Sequence, residues 1–379
     1  MKIGRDTGAS PLWVGFEGKA LPASLSRLLA AGEAGGVVLY ARNIENPAQL
    51  RALCREIRSA AGKGNPRPLI AVDQEGGRVA RLKDPPFTWF PPARACSLFC
   101  CRNEEVAAAV GAATAAELRA VGIDVDFAPV LDVDSNPGNP VIGDRAFSGD
   151  AETVARLGVA FHKGCLAGGV LPVGKHFPGH GDTSADSHEE LPVVRASASM
   201  LLSRELLPFR RAVRAGIPAL MTAHVVYRAL DPDAPATLSG RILRGLLRER
   251  MRFRGALFSD ALEMKAIAGH YGIGEAAVLA ASAGCDAVLV CRGEAAQEEA
   301  ALRLSRGARD SATFRRTLET AARRTARLRA WAASKERCRP DSRAVGAKRH
   351  RALAALLWER WGSTGRTSPG GRSGNIGEG

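Results

Sequence analysis

The sequence predicts a (β/α)8 barrel, a single TIM-like α/β catalytic domain, and three observations carry that reading. Short β-rich runs alternate with helical stretches over the first 300 residues, and there are eight such runs. Several of the helical stretches close on a glycine. Polar residues stand at the C-terminal ends of several different runs: Asp73, Asp132, Lys175 with His176, His224 and Asp260. Alternation alone fits a doubly wound sheet almost as well. Such a sheet gathers its chemistry at one switch point and places a Gly-rich phosphate loop after its first strand. Gly15-Phe16-Glu17-Gly18 is not such a loop. Barrel sites instead collect residues from many strand ends, so the position of the chemistry selects the barrel.

Taken in order, the strands are expected at residues 12–16, 36–40, 69–73, 125–131, 171–176, 219–224, 256–260 and 287–291. Helix-like stretches between them occupy residues 47–61, 104–120, 151–167, 204–215 and 240–250. Gly122, Gly168, Gly216 and Gly284 follow helices, where a left-handed glycine turns the chain back toward the sheet. Residues 311–333 read as a basic helix carrying Arg315, Arg316, Arg323, Arg324, Arg327 and Arg329, with Leu318, Ala322 and Leu328 on an apolar face. Residues 1–335 are assigned to the barrel, and 336–379 to a basic, low-complexity extension expected to be largely disordered. Removing residues beyond 340 is therefore expected to leave catalysis nearly unchanged.

Composition excludes several classes. A content of 46% hydrophobic and 24% charged residues, with 41 Gly and 21 Pro, is that of a folded chain, neither disordered nor collagen-like. No apolar run reaches the roughly 18 residues of a membrane span. The start, Met1-Lys2-Ile3-Gly4-Arg5-Asp6, has no apolar stretch behind its charges, so no secretory leader is expected. The eight cysteines include no C-x-x-C pair, and Cys100-Cys101 has neither zinc-site nor simple disulfide spacing. Reduced thiols and a cytoplasmic location are expected.

The net charge of +14 is local. Residues 301–379 hold 19 basic and 6 acidic side chains, which leaves 34 against 33 in the first 300. Few aromatics interleave the arginines, so no stacking platform for single strands is visible and no nucleic-acid partner is expected.

The densest constellation runs from Gly174 to Pro192 and holds His176, His180 and His188. The i, i+4 spacing of His176 and His180 suits a zinc helix, but Pro178, Gly179 and Gly181 argue against a helix there. A solvated loop without a role is the second reading, although loops this rich in titratable groups are uncommon without function. The third is a catalytic loop in which Asp186 and His188 form an acid–base dyad. Residues i and i+2 of an extended segment share a side, so contact between them is plausible. Asp260, delivered by an apolar strand to its tip, suits a nucleophile or electrostatic stabiliser, or else a helix cap. Residues 72–81 and 139–145 add carboxylates and guanidiniums on loops after strands, where either set could be a surface ion pair.

Together these motifs resemble the glycoside hydrolase family 3 β-N-acetylhexosaminidases of the bacterial NagZ type. The resemblance covers residues 12–300 and includes Gly35 to Ile44, Asp73 to Arg81, Asn139 to Arg145, Lys175 to Pro192, Met221 to His224 and Ser259 to Met264. It implies Asp260 as nucleophile, His188 as proton donor and acceptor, and Asp186 as its orienting partner. It also implies Asp73, Arg81, Arg145, Lys175 and His176 as sugar-binding residues, with no metal or organic cofactor. His180 is expected to be a hydrogen-bonding residue of the loop, and His224 a packing residue. The implied enzyme is a monomer that removes non-reducing N-acetylglucosamine from GlcNAc-anhydroMurNAc muropeptides during cell-wall recycling.

The chain departs from the family at Ala261, where a second Asp is common, so a hydrogen bond near Asp260 is expected to be lost. No second sugar-binding domain is expected after the barrel. A β-glucosidase or β-xylosidase of the same family is the alternative, and the Asp186-Ser187-His188 loop argues against it. A non-catalytic sugar-binding barrel is the other, and the presence of all the implied site residues argues against that.

Overall fold

The computed structural model describes residues 10–99, 103–184, 191–336 and 341–364. Eight parallel strands close a barrel: β1 (Leu12–Val14), β2 (Gly36–Leu39), β3 (Leu69–Val72), β4 (Val125–Asp126), β5 (Leu171–Phe177), β6 (Ala219–Thr222), β7 (Ala256–Ala261) and β8 (Ala287–Val290). Each pairs with its neighbours in sequence, and β8 returns to β1 in the register Leu12↔Val288, Trp13↔Leu289 and Val14↔Val290. All eight expected strands are present.

The strands are apolar on both faces because both are covered. Outward residues such as Leu12, Val14, Val37, Ile70 and Val72 pack beneath the helices. Inward residues such as Trp13, Val38, Ala71, Phe127, Met221, Phe258 and Leu289 fill the barrel. Trp13 meets Phe258 edge-on at 4.8 Å, and Gly36 faces that indole so closely that a Cβ there would run into it.

The surrounding helices are α1 (Ala23–Ala31), α2 (Pro47–Ser59), α3 (Asn103–Val121), α4 (Ala151–Gly168), α5 (Leu206–Arg214), a π-wound helix (Arg241–Arg250), α6 (Ile273–Ala283) and α7 (Glu294–Asp310). Left-handed glycines do follow several of them, with φ of 95° at Gly122, 83° at Gly216 and 129° at Gly284. After α4 the cap is Gly169 (φ 92°), one residue later than expected, because Gly168 still belongs to the helix. The stretch expected at 204–215 begins with a π turn, Leu201–Glu205, before α5. The expected strand 125–131 is regular only over β4. It continues irregularly past Pro129, which has no N–H to donate, and Leu131 N–H rejoins the sheet by donating to Lys175 O.

Two further helices follow, the first over the residues expected to form a basic helix and the second within the extension expected to be largely disordered. α8 (Ala312–Glu336) crosses the N-terminal mouth of the barrel, and its Leu328 and Ala332 join the interior cluster of Trp13 and Phe258. Leu318, Ala322 and Leu328 are buried as expected. The Arg329 guanidinium donates to Arg67 O at 3.0 Å and to Gly35 O at 2.8 Å, tying α8 to the strand ends. α9 (Lys348–Gly362) then packs on α3 and on the segment Ala93–Leu98, burying Ala354, Leu357 and Trp361. The folded body therefore extends past residue 335, because six apolar side chains of the extension (Val345, Leu353, Ala354, Leu357, Trp358 and Trp361) find partners on the barrel's flank. Residues 365–379 and Cys100-Cys101 lie outside the described residues.

The five described cysteines, Cys54, Cys96, Cys165, Cys285 and Cys291, are buried free thiols. Among the described residues no helix is long and apolar enough to cross a membrane.

Trp13 is fully buried, and its indole N–H has no hydrogen-bond partner. Trp13→Ala should cost about 3–5 kcal/mol through the cavity it leaves. Trp13→Phe should cost much less, because it also removes an unsatisfied donor. Urea unfolding midpoints at unchanged slope would measure both. Equal losses would show that ring volume is not what fills the barrel here.

Candidate active site

The C-terminal ends of β3, β5 and β7 deliver the expected residues to one mouth of the barrel. Asp73 follows β3 directly, Lys175 and His176 lie within β5, and Asp260 is the penultimate residue of β7. The Lys175–His176 peptide is cis.

Lys175 is the centre of a charge cluster. Its Nζ lies 2.7 Å from Asp73 Oδ1 and 2.6 Å from Glu75 Oε1. Arg145 forks onto the same glutamate, Nε to Oε2 at 2.9 Å and Nη2 to Oε1 at 2.8 Å. Arg81 reaches Asp73 Oδ2 at 3.5 Å. Burial alone would drive Glu75, Arg145 and Lys175 toward neutrality. Burial raises the Glu75 carboxyl, but Arg145 and then Lys175 hold it well below the usual carboxylate range. Burial lowers the Lys175 ammonium, and Asp73 and Glu75 more than restore it. Glu75 and Lys175 are therefore both held in their charged forms.

Glu75 was missed as a site residue, although the sequence holds a signal for it. It stands two residues after Asp73, and in an extended segment such residues share a side. Its consequence falls on Arg145, whose three nitrogens are taken up by Glu75 and by Val141 O at 3.2 Å. Arg145 is thus a buried tie, with its guanidinium already engaged by the protein.

A second cluster lies beneath His176. Its Nδ1 is 2.7 Å from Asp132 Oδ2, while the backbone N–H groups of His176 and His180 donate to Asp132 Oδ1 at 3.1 and 2.7 Å. Burial raises the Asp132 carboxyl, and the His176 and His180 interactions bring it below its ordinary value. His180 is itself buried, which lowers its imidazole to about 4 and keeps it neutral. Its ring lies 3.0 Å from Thr183 Oγ1, consistent with the loop role expected for it.

Asn139, another residue without an assigned role in the sequence, fastens this loop. Its Nδ2 donates to His180 O, Gly181 O and Thr183 Oγ1, and its Oδ1 accepts from Val141 and Ile142. On the far side Val193–Val194 pairs with Val226–Tyr227. Asp186 and His188 fall between these two fastened ends and lie outside the described residues.

Asp260 is the remaining candidate. Burial raises its carboxyl, but the fields of His224 and His176, the Ala261 N–H at 2.8 Å and Lys175 together lower it below its ordinary value. His224 is 1% exposed, with Nε2 2.9 Å from Ala261 O and Nδ1 2.7 Å from Thr237 Oγ1. It underlies the pocket as a fixed ring. Nearby, Glu263 accepts the Cys291 N–H at 2.8 Å through Oε1, while its buried Oε2 has no partner. Tyr40 completes the wall, with the Arg42 and Arg81 guanidiniums 4.2 and 5.4 Å from its ring centre. Neither Glu263 nor Tyr40 was assigned from the sequence. Among the described residues no group of three His, Cys, Asp or Glu side chains is arranged to hold a metal ion.

Comparison with known proteins gives the family. The Glycosyl hydrolase family 3 N terminal domain matches residues 15–328. A β-hexosaminidase of Thioalkalivibrio sulfidiphilus is 45% identical over 285 residues, covering 74% of this chain and 80% of its own. One of Pseudomonas aeruginosa is 43% identical over 301 residues, covering 78% and 86%. Among solved structures, a family 3 β-N-acetylglucosaminidase from Paenibacillus sp. superposes with a TM-score of 0.87 at 36% identity, covering 94% of this chain and 68% of that one. NagZ from Neisseria gonorrhoeae, in complex with N-trifluoroacetyl-D-glucosamine, superposes at 0.76 with 34% identity, covering 93% and 98%. With a family domain across most of its length and relatives of this identity, the chain belongs to glycoside hydrolase family 3, among its β-N-acetylhexosaminidases.

Proposed function

We propose that the protein is an exo-acting, retaining β-N-acetylglucosaminidase that removes non-reducing N-acetylglucosamine from peptidoglycan-derived fragments in the cytoplasm, as a step of cell-wall recycling. The observation that supports it most is Asp260, an ionised carboxylate on a rigid strand tip, within the field of His176 and Lys175. The neighbouring NagZ structure, named as a complex with N-trifluoroacetyl-D-glucosamine, suggests the sugar.

In this reading Asp260 attacks the anomeric carbon while His188 gives its proton to the departing glycosidic oxygen, and a glycosyl–aspartate ester forms. Neutral His188 then takes a proton from water as that water displaces Asp260 and regenerates the carboxylate. Asp186 fixes the orientation of the ring and favours its protonated form. Asp73, Arg81, Lys175 and His176 would hold the sugar, with Arg145 acting on it through Glu75. These side chains are mutually fixed, so their hydrogen-bonding atoms need little reorganisation when sugar binds.

Asp260→Ala should lower turnover of an aryl β-N-acetylglucosaminide at least about a thousandfold in a folded protein. Retention of a tenth of wild-type activity would remove Asp260 from the nucleophile role. The same assay run on β-glucosides and β-xylosides should give far lower kcat/KM.

His188→Ala should do least harm with aryl leaving groups of low pKa, which depart without a proton, and added azide should then restore rate. Uniform losses across leaving groups would move the proton donor elsewhere.

Glu263 gives a pH signature. Burial pushes its carboxyl from the ordinary 4.5 up to about 7, with the Asp260 charge adding to the shift. Between those values the group is protonated in the fold and ionised in the unfolded chain. The unfolded chain binds fewer protons, so stability falls as pH rises through that window. Glu263→Gln should therefore melt with wild type at about pH 4 and above it at about pH 8. Coincident melting at both would mean that Glu263 ionises freely.

A further inference from the structure

α9 lies beyond the residues that the family domain matches, yet it is joined to the candidate sugar-binding residues by two chains of contacts. The first runs through a tryptophan pair. The Trp358 indole N–H donates to Trp89 O at 2.9 Å, and the two rings stand 4.9 Å apart. The Trp89 indole N–H donates in turn to Gly77 O at 2.9 Å, and Gly77 N–H donates to Phe90 O at 2.9 Å. Gly76 and Gly77 adopt φ of 103° and 55°, and a Cβ on either would strike Pro91 or Pro92. These glycines form the turn of the small hairpin Gln74–Gly76 and Val79–Ala80. Asp73 and Arg81 flank that hairpin directly.

The second chain passes through Arg94, on the segment that α9 covers. Its guanidinium reaches Asp134 Oδ2 at 2.6 Å, Ala146 O at 3.1 Å and Gly143 O at 3.2 Å, bracketing Arg145. Between the two chains, buried His350 holds Glu117 Oε1 at 2.9 Å through Nδ1, and Glu117 Oε2 accepts the Thr88 N–H at 2.9 Å. Arg349 Nε lies 3.3 Å from His350 Nε2.

We propose that α9 is a brace that sets the Asp73 to Arg81 spacing of the sugar-binding site, with Trp358 and Trp89 as its positioning residues. The inference rests on the sugar-binding reading given above for those residues. A two-stranded hairpin of this size is not stable by itself and takes its conformation from what it packs against. Here the inner side is tied by Gln74, whose Oε1 accepts the Arg81 and Leu82 N–H groups at 2.9 and 3.0 Å. The outer side is tied through Trp89 and the 90–92 segment, on which Trp358 packs from behind, and through Arg78, which donates to Val141 O and to Ile142 O at 3.3 Å. Asp260 belongs to β7, a different strand from the one that leads into the hairpin, so loosening the brace should weaken sugar binding without slowing the chemical step. It should raise KM at constant kcat.

The test uses the full chain and an aryl β-N-acetylglucosaminide. Trp358→Ala should raise KM about tenfold with kcat within about twofold of wild type. Trp358→Phe keeps a ring but loses the N–H, and should raise KM about threefold. Leu356→Ala, at a side chain 46% exposed on the same helix, should change neither. A wild-type KM in folded Trp358→Ala, or a fall in kcat at unchanged KM, overturns the brace. Should Trp358→Ala lose its cooperative melt, an unchanged KM in Trp358→Phe overturns it equally. A wild type that turns over no such glycoside would sink the functional reading instead. Calorimetric titration of wild type and Trp358→Ala with N-acetylglucosamine would still decide the brace, which requires weaker binding in the variant.

Discussion

The ion cluster around Lys175 is the constraint on which the rest of the site depends. Two carboxylates and two cations are buried together, and each is stable only because the others are present. Removing one member would strand an uncompensated charge away from water, which costs more than a surface ion pair contributes. The cluster joins residues that follow three different strands: Asp73 and Glu75 after β3, Arg145 after β4 and Lys175 within β5. It therefore fixes the relative position of loops that no backbone ladder connects. Arg145 shows how the protein uses its own charges here, since three of its five N–H donors are held by Glu75 and Val141.

The basic C-terminal fifth has a structural use of the same kind. Asp286 is buried at the barrel's N-terminal mouth, and it accepts from Arg248 at 2.6 Å and from Arg324 of α8 at 2.9 Å. Arg329 caps backbone carbonyls at two other strand ends. Burial lowers the Arg329 guanidinium to about 10, which still leaves it charged near neutrality. Part of the positive charge concentrated in residues 301–379 is thus consumed in closing the barrel.

The barrel was legible because its signal is redundant. Eight apolar runs and the glycines after them state one architecture several times, and a one-residue error such as Gly168 for Gly169 changes nothing. The residues brought to the mouth were legible for a related reason, since a polar side chain at an apolar strand's end is conspicuous. Glu75, Asn139 and Glu263 were harder. Their roles come from pairing across loops distant in sequence, and no local pattern encodes that Asn139 will meet Thr183. α9 was misread because its composition is polar and basic. What docks it is a handful of apolar side chains, and their partners on the barrel's flank cannot be inferred from periodicity.

Three buried carboxyls near the pocket show how one fold gives one residue type opposite states. Asp260 is held below its ordinary value by the two histidines and Lys175. Glu263, three residues on, is pushed up to about 7 because burial outweighs two backbone N–H groups and the Arg292 charge, and the negative charge of Asp260 adds to it. Asp126 is raised well above its ordinary value, with one oxygen accepting the Gln74 N–H and the other unpartnered. Burial has the same sign in all three, so what separates them is which neighbours face the carboxyl. Keeping Glu263 neutral below about 7 also limits negative charge beside Asp260. A second ionised carboxylate there would raise the Asp260 pKa and weaken its claim on the cationic neighbours. The separation of the two carboxyls is thus part of what keeps Asp260 charged, and the pattern resembles that of sites where adjacent acids hold different protonation states for different tasks.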